Sequence, residues 1–378
     1  MTSSAESTDV GIAAPSGFLP GRIIHLHPTR LCNLACRHCY SESSPQQREA
    51  LDPVTLCDAL GVLRAEGYSQ ISVSGGEPLV YGPLPAVIET ARRLGYRVTM
   101  ISNGLLVTTR TDQLLSQLDG IAISFDGLEA THNALRGRPD AFRRACAALQ
   151  RLAAKGRPVS AAISLTRDAI PELPELADHL VSLGARALQI RPVCRAGRAR
   201  SLANTSFYQS TDHARLYLVI LALRQELPAA VHVHCDLAPA QGLWQQRDAY
   251  ANLLGGCAVG PGDRPLADLV NPLVITEAGV LKPIAYDFDR WFDVGTIDGL
   301  SIDGLRSYKR LPFLRLQALI DGALAGLQDT HGLVDWFDHC TRLAEGVWPA
   351  RDGNHNRHLP MVDRPDTSPR RLADSTGS

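Results

Sequence analysis

The run Cys32-Asn33-Leu34-Ala35-Cys36-Arg37-His38-Cys39-Tyr40 places three cysteines in nine residues, spaced by three and then by two. A four-iron cubane is normally held by four thiolates. Three leave one iron open to an outside ligand, in the way a catalytic metal site keeps a vacant position while a structural site is closed. The same three thiols with His25 or His27 would also make a Cys3His zinc knot, so the run alone leaves both chemistries open.

Upstream, residues 21–27 read as a strand that runs straight into the cysteine loop, so the thiols sit at its C-terminal end. Downstream, Asp52 and Pro53 open a helix as N-cap and first helical residue, ending near Gly67. Strands follow at 70–73, 97–101, 120–124, 158–165 and 187–190, separated by helical patterns at 84–94, 111–118, 140–154 and 170–183. Regular alternation of short apolar strands with amphipathic helices specifies a parallel sheet with crossover helices. Six such units by about residue 225 predict an incomplete barrel. Sites on such barrels lie at the C-terminal ends of the strands.

The remaining motifs fall at those ends. Ser74-Gly75-Gly76-Glu77-Pro78 follows the second strand. Its glycines let a ligand approach the backbone, and Glu77 and the peptide carbonyls are acceptors for an ammonium group. Ser102 and Asn103 end the third strand, Ser124 and Asp126 the fourth, and Ser164 the fifth; Gln189 to Pro192 ends the sixth. His132, Arg136 and Arg138 lie just beyond the fourth.

The cysteine spacing with Tyr40, the Gly-Gly-Glu-Pro segment and the Ser124 to Arg138 segment together resemble the radical S-adenosylmethionine (SAM) superfamily, in its subgroup of peptide and sulfatase maturases. The resemblance covers about two thirds of the chain and lowers the zinc reading to a minor alternative. It implies a 4Fe-4S cluster on Cys32, Cys36 and Cys39, with SAM on its open iron. It also implies SAM contacts from Tyr40, Gly75, Gly76, Glu77, Pro78, Ser102, Asn103, Ser124, Asp126, Arg136 and Ser164. Gly75 to Pro78 would hold the SAM amino group, Ser124 and Arg136 the methionine carboxylate, and Asp126 would lie near the ribose. Gln189 to Pro192 is placed to contact the adenine edge, although it does not match the family's glycine-rich form there. The implied chemistry is reductive cleavage of SAM to a 5'-deoxyadenosyl radical that abstracts hydrogen from a peptide or a small molecule. The electron would come from a donor such as flavodoxin or ferredoxin, and a separate peptide-recognition protein would present a leader.

Beyond residue 230 the alternation ends, and 255–297 reads as a hairpin with flanking loops. It resembles the cysteine-rich SPASM extension or its shortened twitch form. Where that hairpin normally supplies a cysteine this chain has Lys282-Pro283-Ile284. Cys257, Cys194, Cys235 and Cys340 are what remains for an auxiliary cluster, and a degenerate, metal-free extension that covers the barrel mouth is the expectation. His232 and His234 read as a polar strand face, Asp287 and Asp289 as candidate proton acceptors, and Cys57 and Cys146 as core. His38, between two ligands, is given no catalytic role. Arg191, Arg195, Arg198 and Arg200 read as a solvated loop that is able to meet a substrate carboxylate.

The expected fold class is therefore α/β: a partial (β/α)6 TIM-like barrel with a small C-terminal SPASM/twitch-like α+β extension. The divisions are a flexible tail (1–18), the barrel (19–230), the extension (231–352) and a disordered tail (353–378). With 378 residues, 45% apolar and 20% charged, the chain has ample core. A net charge of -1 gives no electrostatic reason for a nucleic-acid or membrane partner. Lysine is confined to Lys155, Lys282 and Lys309. No signal sequence or apolar span is present, and nine cysteines, an odd number, fit a reducing cytoplasm better than a disulfide framework.

Overall fold

The computed structural model describes residues 22–247 and 264–347. Both expected tails and Cys257 lie outside the described residues. Seven parallel strands run in chain order: β1 (Ile23–Leu26), β2 (Gln70–Val73), β3 (Arg97–Ser102), β4 (Gly120–Phe125), β5 (Val159–Leu165), β6 (Ala187–Pro192) and β7 (His232–Cys235). Between them lie α1 (Pro53–Ala65), α2 (Leu84–Arg93), α3 (Asp112–Leu115), α4 (Glu129–Arg136), α5 (Ala141–Ala154), α6 (Leu173–Ser182) and α7 (Ser210–Glu226). Strand order that follows chain order builds a barrel wall, whereas a doubly wound sheet reverses at a switch point.

The expected six strands are joined by a seventh. The polar run His232-Val233-His234-Cys235 pairs in parallel with β6, Ala187 to His232 and Ile190 to Cys235. It escaped the apolar pattern because its outer side is short and its other residues are histidines.

Side-chain alternation explains why the wall curves round an opening. In β5, Val159, Ala161, Ile163 and Leu165 are buried against the helices while Ser160, Ala162 and Ser164 are half-buried on the other face. β6 repeats this, with Leu188 and Ile190 buried, Gln189 half-buried and Arg191 exposed. Register carries the inner face across strands, Ser124 beside Ala162, Ala162 beside Gln189, and Gln189 beside His234. One step towards the C-terminal ends, Ser164 lies beside Arg191. Small and polar residues thus line a lumen, and the aliphatic core lies between the sheet and its helices.

The C-terminal region extends the same sheet. β9 (Leu273–Ile275) pairs in parallel with the free edge of β1, and β10 (Val280–Pro283) and β11 (Gly295–Thr296) add antiparallel strands beyond it. β8 (Leu237–Pro239) and β12 (Leu333–Asp335) make a separate antiparallel pair. The extension is docked by buried polar contacts. Lys309 Nζ lies 2.9 Å from Glu66, Leu266 N donates to the same carboxylate at 2.6 Å, and Tyr68 donates to the Val270 carbonyl at 2.5 Å. Lys282, at the position expected for a cysteine, donates to the Phe288 carbonyl at 2.8 Å and to Asp293 at 3.0 Å.

Candidate active site

Cys32, Cys36 and Cys39 are free thiols on the loop leaving β1. Burial and, in smaller part, Glu77 and the neighbouring thiols push Cys32 up to about 12, and burial pushes Cys36 up to about 11. Thiols this reluctant to ionise need a strongly positive ligand to become thiolates. Among the described residues no three His, Cys, Asp or Glu side chains converge on one metal ion's position. Ligands of a single zinc stand ~4 Å apart, whereas a cubane accepts donors spread more widely.

The Gly-Gly-Glu-Pro loop is laced to the residues just before Cys32. Ser74 N donates to the Leu26 carbonyl at 2.8 Å, Gly76 N to Thr29 at 2.8 Å and Glu77 N to Leu31 at 3.1 Å. The approach is so close that a Cβ on Gly76 would stand 2.1 Å from the Leu31 carbonyl oxygen. Gly75 has φ +91°, open to glycine at no steric cost. The Glu77 carboxylate is fully buried and engaged, accepting from Ser102 Oγ at 2.9 Å, Asn103 N at 2.9 Å and Leu79 N at 3.2 Å. It therefore fastens the end of β3 to the glycine loop, while Pro78 opens a 3-10 turn behind it. Asn103 in turn donates to Asn33 at 2.7 Å, inside the cysteine loop.

Behind the cysteines lies a buried charge network. Arg136, on α4, holds Asp126 with two hydrogen bonds, 2.5 and 3.0 Å. Burial opposes ionisation of Asp126, but Arg136 and His38 outweigh it and hold the carboxyl well below the usual range. His38 Nε2 sits 3.1 Å from Asp126 and His132 Nδ1 3.3 Å from it. Burial, with smaller contributions from Arg136 and His38, lowers His132 to about 4. In this structure Arg136 thus pairs with an internal carboxylate, and Asp126 with a cation. His38, given no role from sequence, ties the cysteine loop to this network.

Ser124 and Ser164 face the lumen from β4 and β5. Tyr40 is 41% exposed, its hydroxyl 3.4 Å from His27 Nε2. His27 stacks on Tyr286 of the extension at 4.8 Å, and Tyr286 donates to Glu277 at 2.9 Å. Asp289 caps a short turn by accepting from Trp291 N at 2.8 Å. Asp287 lies within electrostatic reach of Cys194.

Arg191, near the end of β6, and the three arginines that follow the strand do not behave as one solvated loop. Arg195 packs over Phe207 and Arg200 is exposed at the surface. Arg198 turns inward and donates to the carbonyls of Cys36 at 2.9 Å and Ser43 at 2.7 Å, while its own N–H donates to Cys39 at 3.0 Å. Gly197, at φ +50°, makes this possible: a Cβ there would lie 2.2 Å from the Tyr40 carbonyl oxygen. Sequence reasoning missed this clamp, and the Gly197-Arg198 pair at a strand exit was the only signal for it.

Comparison with known proteins places the cysteine loop in context. Residues 26–180 match the model of the radical SAM superfamily and form a radical SAM domain. Among curated proteins, the chain is 28% identical over 176 residues to the sporulation killing factor maturation protein SkfB of Bacillus subtilis, covering 46% of this chain and 43% of that one. It is 28% identical over 202 residues to the pre-heme d1 synthase of Dinoroseobacter shibae, covering 52% and 48%. The matched stretch is thus less than half the length of each relative. Among solved structures, Streptococcus suis SuiB bound to S-adenosylmethionine shares the fold, with a TM-score of 0.59 at 15% identity over 79% of this chain and 68% of that one. No described helix is long and apolar enough to cross a membrane.

Proposed function

We propose that the radical SAM domain at residues 26–180 makes this chain an enzyme that cleaves SAM reductively and abstracts hydrogen from a peptide during its maturation. The observation that carries the reading is the tethering of the cysteine loop and the residues just before it to the ends of β2, β3, β4 and β6, all at the C-terminal edge of the wall. Cys32, Cys36 and Cys39 would hold a 4Fe-4S cluster, and the Gly75 and Gly76 backbone, Tyr40, Ser102, Asn103, Ser124 and Ser164 would surround SAM. When bound, the pair supplies a one-electron cleavage that yields a 5'-deoxyadenosyl radical.

The chain's own residues position and shield. Glu77 fixes the glycine loop against β3, Asp126 and Arg136 brace the cysteine loop from beneath through His38, and Arg198 neutralises two of its carbonyls. The lumen's small polar lining leaves room for substrate beside the strand ends, and the sheet extension flanks it at β1. An electron donor of the flavodoxin or ferredoxin kind would dock from outside, and a separate peptide-recognition protein would present the substrate. The peptide reading draws on the likeness to a sporulation killing factor maturation protein and on the shared fold of SuiB, which has been solved bound to a precursor peptide. The likeness to a pre-heme d1 synthase supports a tetrapyrrole as the second candidate.

The test is anaerobic reconstitution, iron counting and an assay for 5'-deoxyadenosine with SAM and dithionite. One catalytic cluster gives about four irons per chain and deoxyadenosine formation; zinc content without deoxyadenosine sinks the reading. A mass change in a co-expressed precursor peptide, set against incubation with porphyrin carboxylates, then decides the substrate class.

A further inference from the structure

The lumen holds a charged cluster that the cysteine loop and its supports do not use. Arg191 lies on the inner face of β6, its Nε 2.8 Å from Asp236, the residue that follows β7. Asp236 is 7% exposed at the side chain and also lies 3.1 Å from His234 Nε2, whereas the Arg191 side chain is 51% exposed. Arg191 shares the lumen-facing register with Ser164 and lies within electrostatic reach of Tyr40 and Asp335, so its exposed side is turned to the lumen. A guanidinium has five N–H donors in a rigid fork, so a carboxylate on its Nε side orients the group without exhausting it. Ser164 stands beside it in register and Gln189 one step below. This is a built arrangement: a buried counter-charge, a braced cation and neutral hydrogen-bonding walls.

We propose that Arg191, braced by Asp236, is a recognition site for a carboxylate of the substrate. The carboxylate would take paired donors from Arg191, the geometry that suits this side chain best. Asp335, pushed up to about 7 by burial and by Asp236, is poised to retain a proton beside a second anion. The assignment rests on the radical SAM reading, since it places substrate on the same lumen. It applies to a peptide with an acidic side chain or free C-terminus and to a tetrapyrrole propionate alike.

The experiment is phenylglyoxal labelling of the cluster-loaded full chain, with Arg191 followed by peptide mass spectrometry. Glutarate is titrated against chloride at equal ionic strength, with putrescine and SAM as separate arms. By mass action glutarate should slow labelling of Arg191 about threefold when it reaches twice its dissociation constant, with exposed Arg200 unaffected. Equal labelling in glutarate and chloride overturns the proposal. Protection by putrescine overturns it in favour of a cation site on Asp335. Protection by SAM to which glutarate adds nothing overturns it by assigning Arg191 to the cofactor. Deoxyadenosine formation by the same preparation is read independently, so loss of the underlying function and loss of this site are told apart.

Discussion

The two sides of the barrel mouth are built by different means. On the β1 to β2 side the supports of the cysteine loop are largely backbone: carbonyls of Leu26, Thr29 and Leu31 accept from the glycine loop. On the β6 to β7 side the contacts are made by long side chains: Arg198 reaches back across 162 residues of sequence to support Cys36, and Arg191, away from the cysteine loop, pairs with Asp236. A backbone contact of this closeness demands glycine and leaves a mark in the sequence. A side-chain contact is satisfied by an arginine that looks like any other.

The sharpest way to break that contrast is to add one carbon at Gly76. A methyl group there meets backbone, which cannot yield cheaply, so Gly76→Ala should abolish cluster assembly, read as iron and sulfide per chain after reconstitution. Gly61→Ala is the control: it lies inside α1 with nothing within 4 Å of the added carbon. It should leave iron content unchanged and raise stability by about 0.5–1 kcal/mol. Equal iron in the two variants would show that the lacing does not position the thiols.

The next largest effect is expected between the two sides. Asp126→Asn strands a buried guanidinium, a loss of the order of 3–5 kcal/mol, and removes the partner of His38. Urea unfolding of the apo-protein reads the first consequence and iron retention reads the second. An unchanged midpoint in urea would mean that Arg136 finds another anion.

Arg198→Ala tests the side-chain clamp. It removes two charge-assisted hydrogen bonds, each worth about 1.5–3 kcal/mol, but the donor's own backbone bond to Cys39 remains. The cysteine loop should persist and lose iron to a chelator faster by about tenfold, one unit of 1.4 kcal/mol. Arg198→Lys, with a single point charge, should recover part of this. Identical chelation rates in all three proteins would reduce Arg198 to surface packing.

Legibility divides along the same line. The barrel wall could be read because β2 to β6 alternate with helices at regular spacing, and the cysteine loop, glycine loop and strand-end serines because each is local in sequence. β7 was invisible as a barrel strand because two of its four residues are histidines. The pairing of Arg136 with Asp126 and the capture of Glu77 by Ser102, Asn103 and Leu79 were not legible either. Sequence places charged residues near an expected ligand without showing which other charge in the fold they also meet. His38 and Arg198 were passed over for the converse reason. One sits at a loop position between two ligands and the other in an arginine-rich run, and neither context carries information about the carbonyls or carboxylate that wait for it. The extension was read as a covering module, whereas β9 continues the barrel sheet itself on the edge of β1.

The smallest effect falls on Asp335, where the side-chain-built region can be tested by pH. Burial, reinforced by Asp236 and opposed by Arg191, raises its carboxyl from 3.8 to about 7. Between those values the folded chain holds a proton that the unfolded chain has released. Its contribution is therefore fully present below 3.8 and lost as pH rises through 7. Asparagine cannot ionise, yet it keeps the acceptor that receives Asp338 N at 3.1 Å at the start of the helix Trp336–Val347. Asp335→Asn should therefore match the parent near pH 4 and exceed it at pH 8 by on the order of 1–2 kcal/mol, a melting shift of a few degrees. The difference between the two proteins isolates this group, because His25, His27 and His132, whose lowered values give the opposite slope, are common to both. A gap that is constant with pH would place the effect in packing. A gap that opens between about pH 4 and 7 and levels off above would show that the β6 to β7 side of the mouth stores an ionisation penalty at Asp335, as burial of Glu77 does on the backbone-laced side.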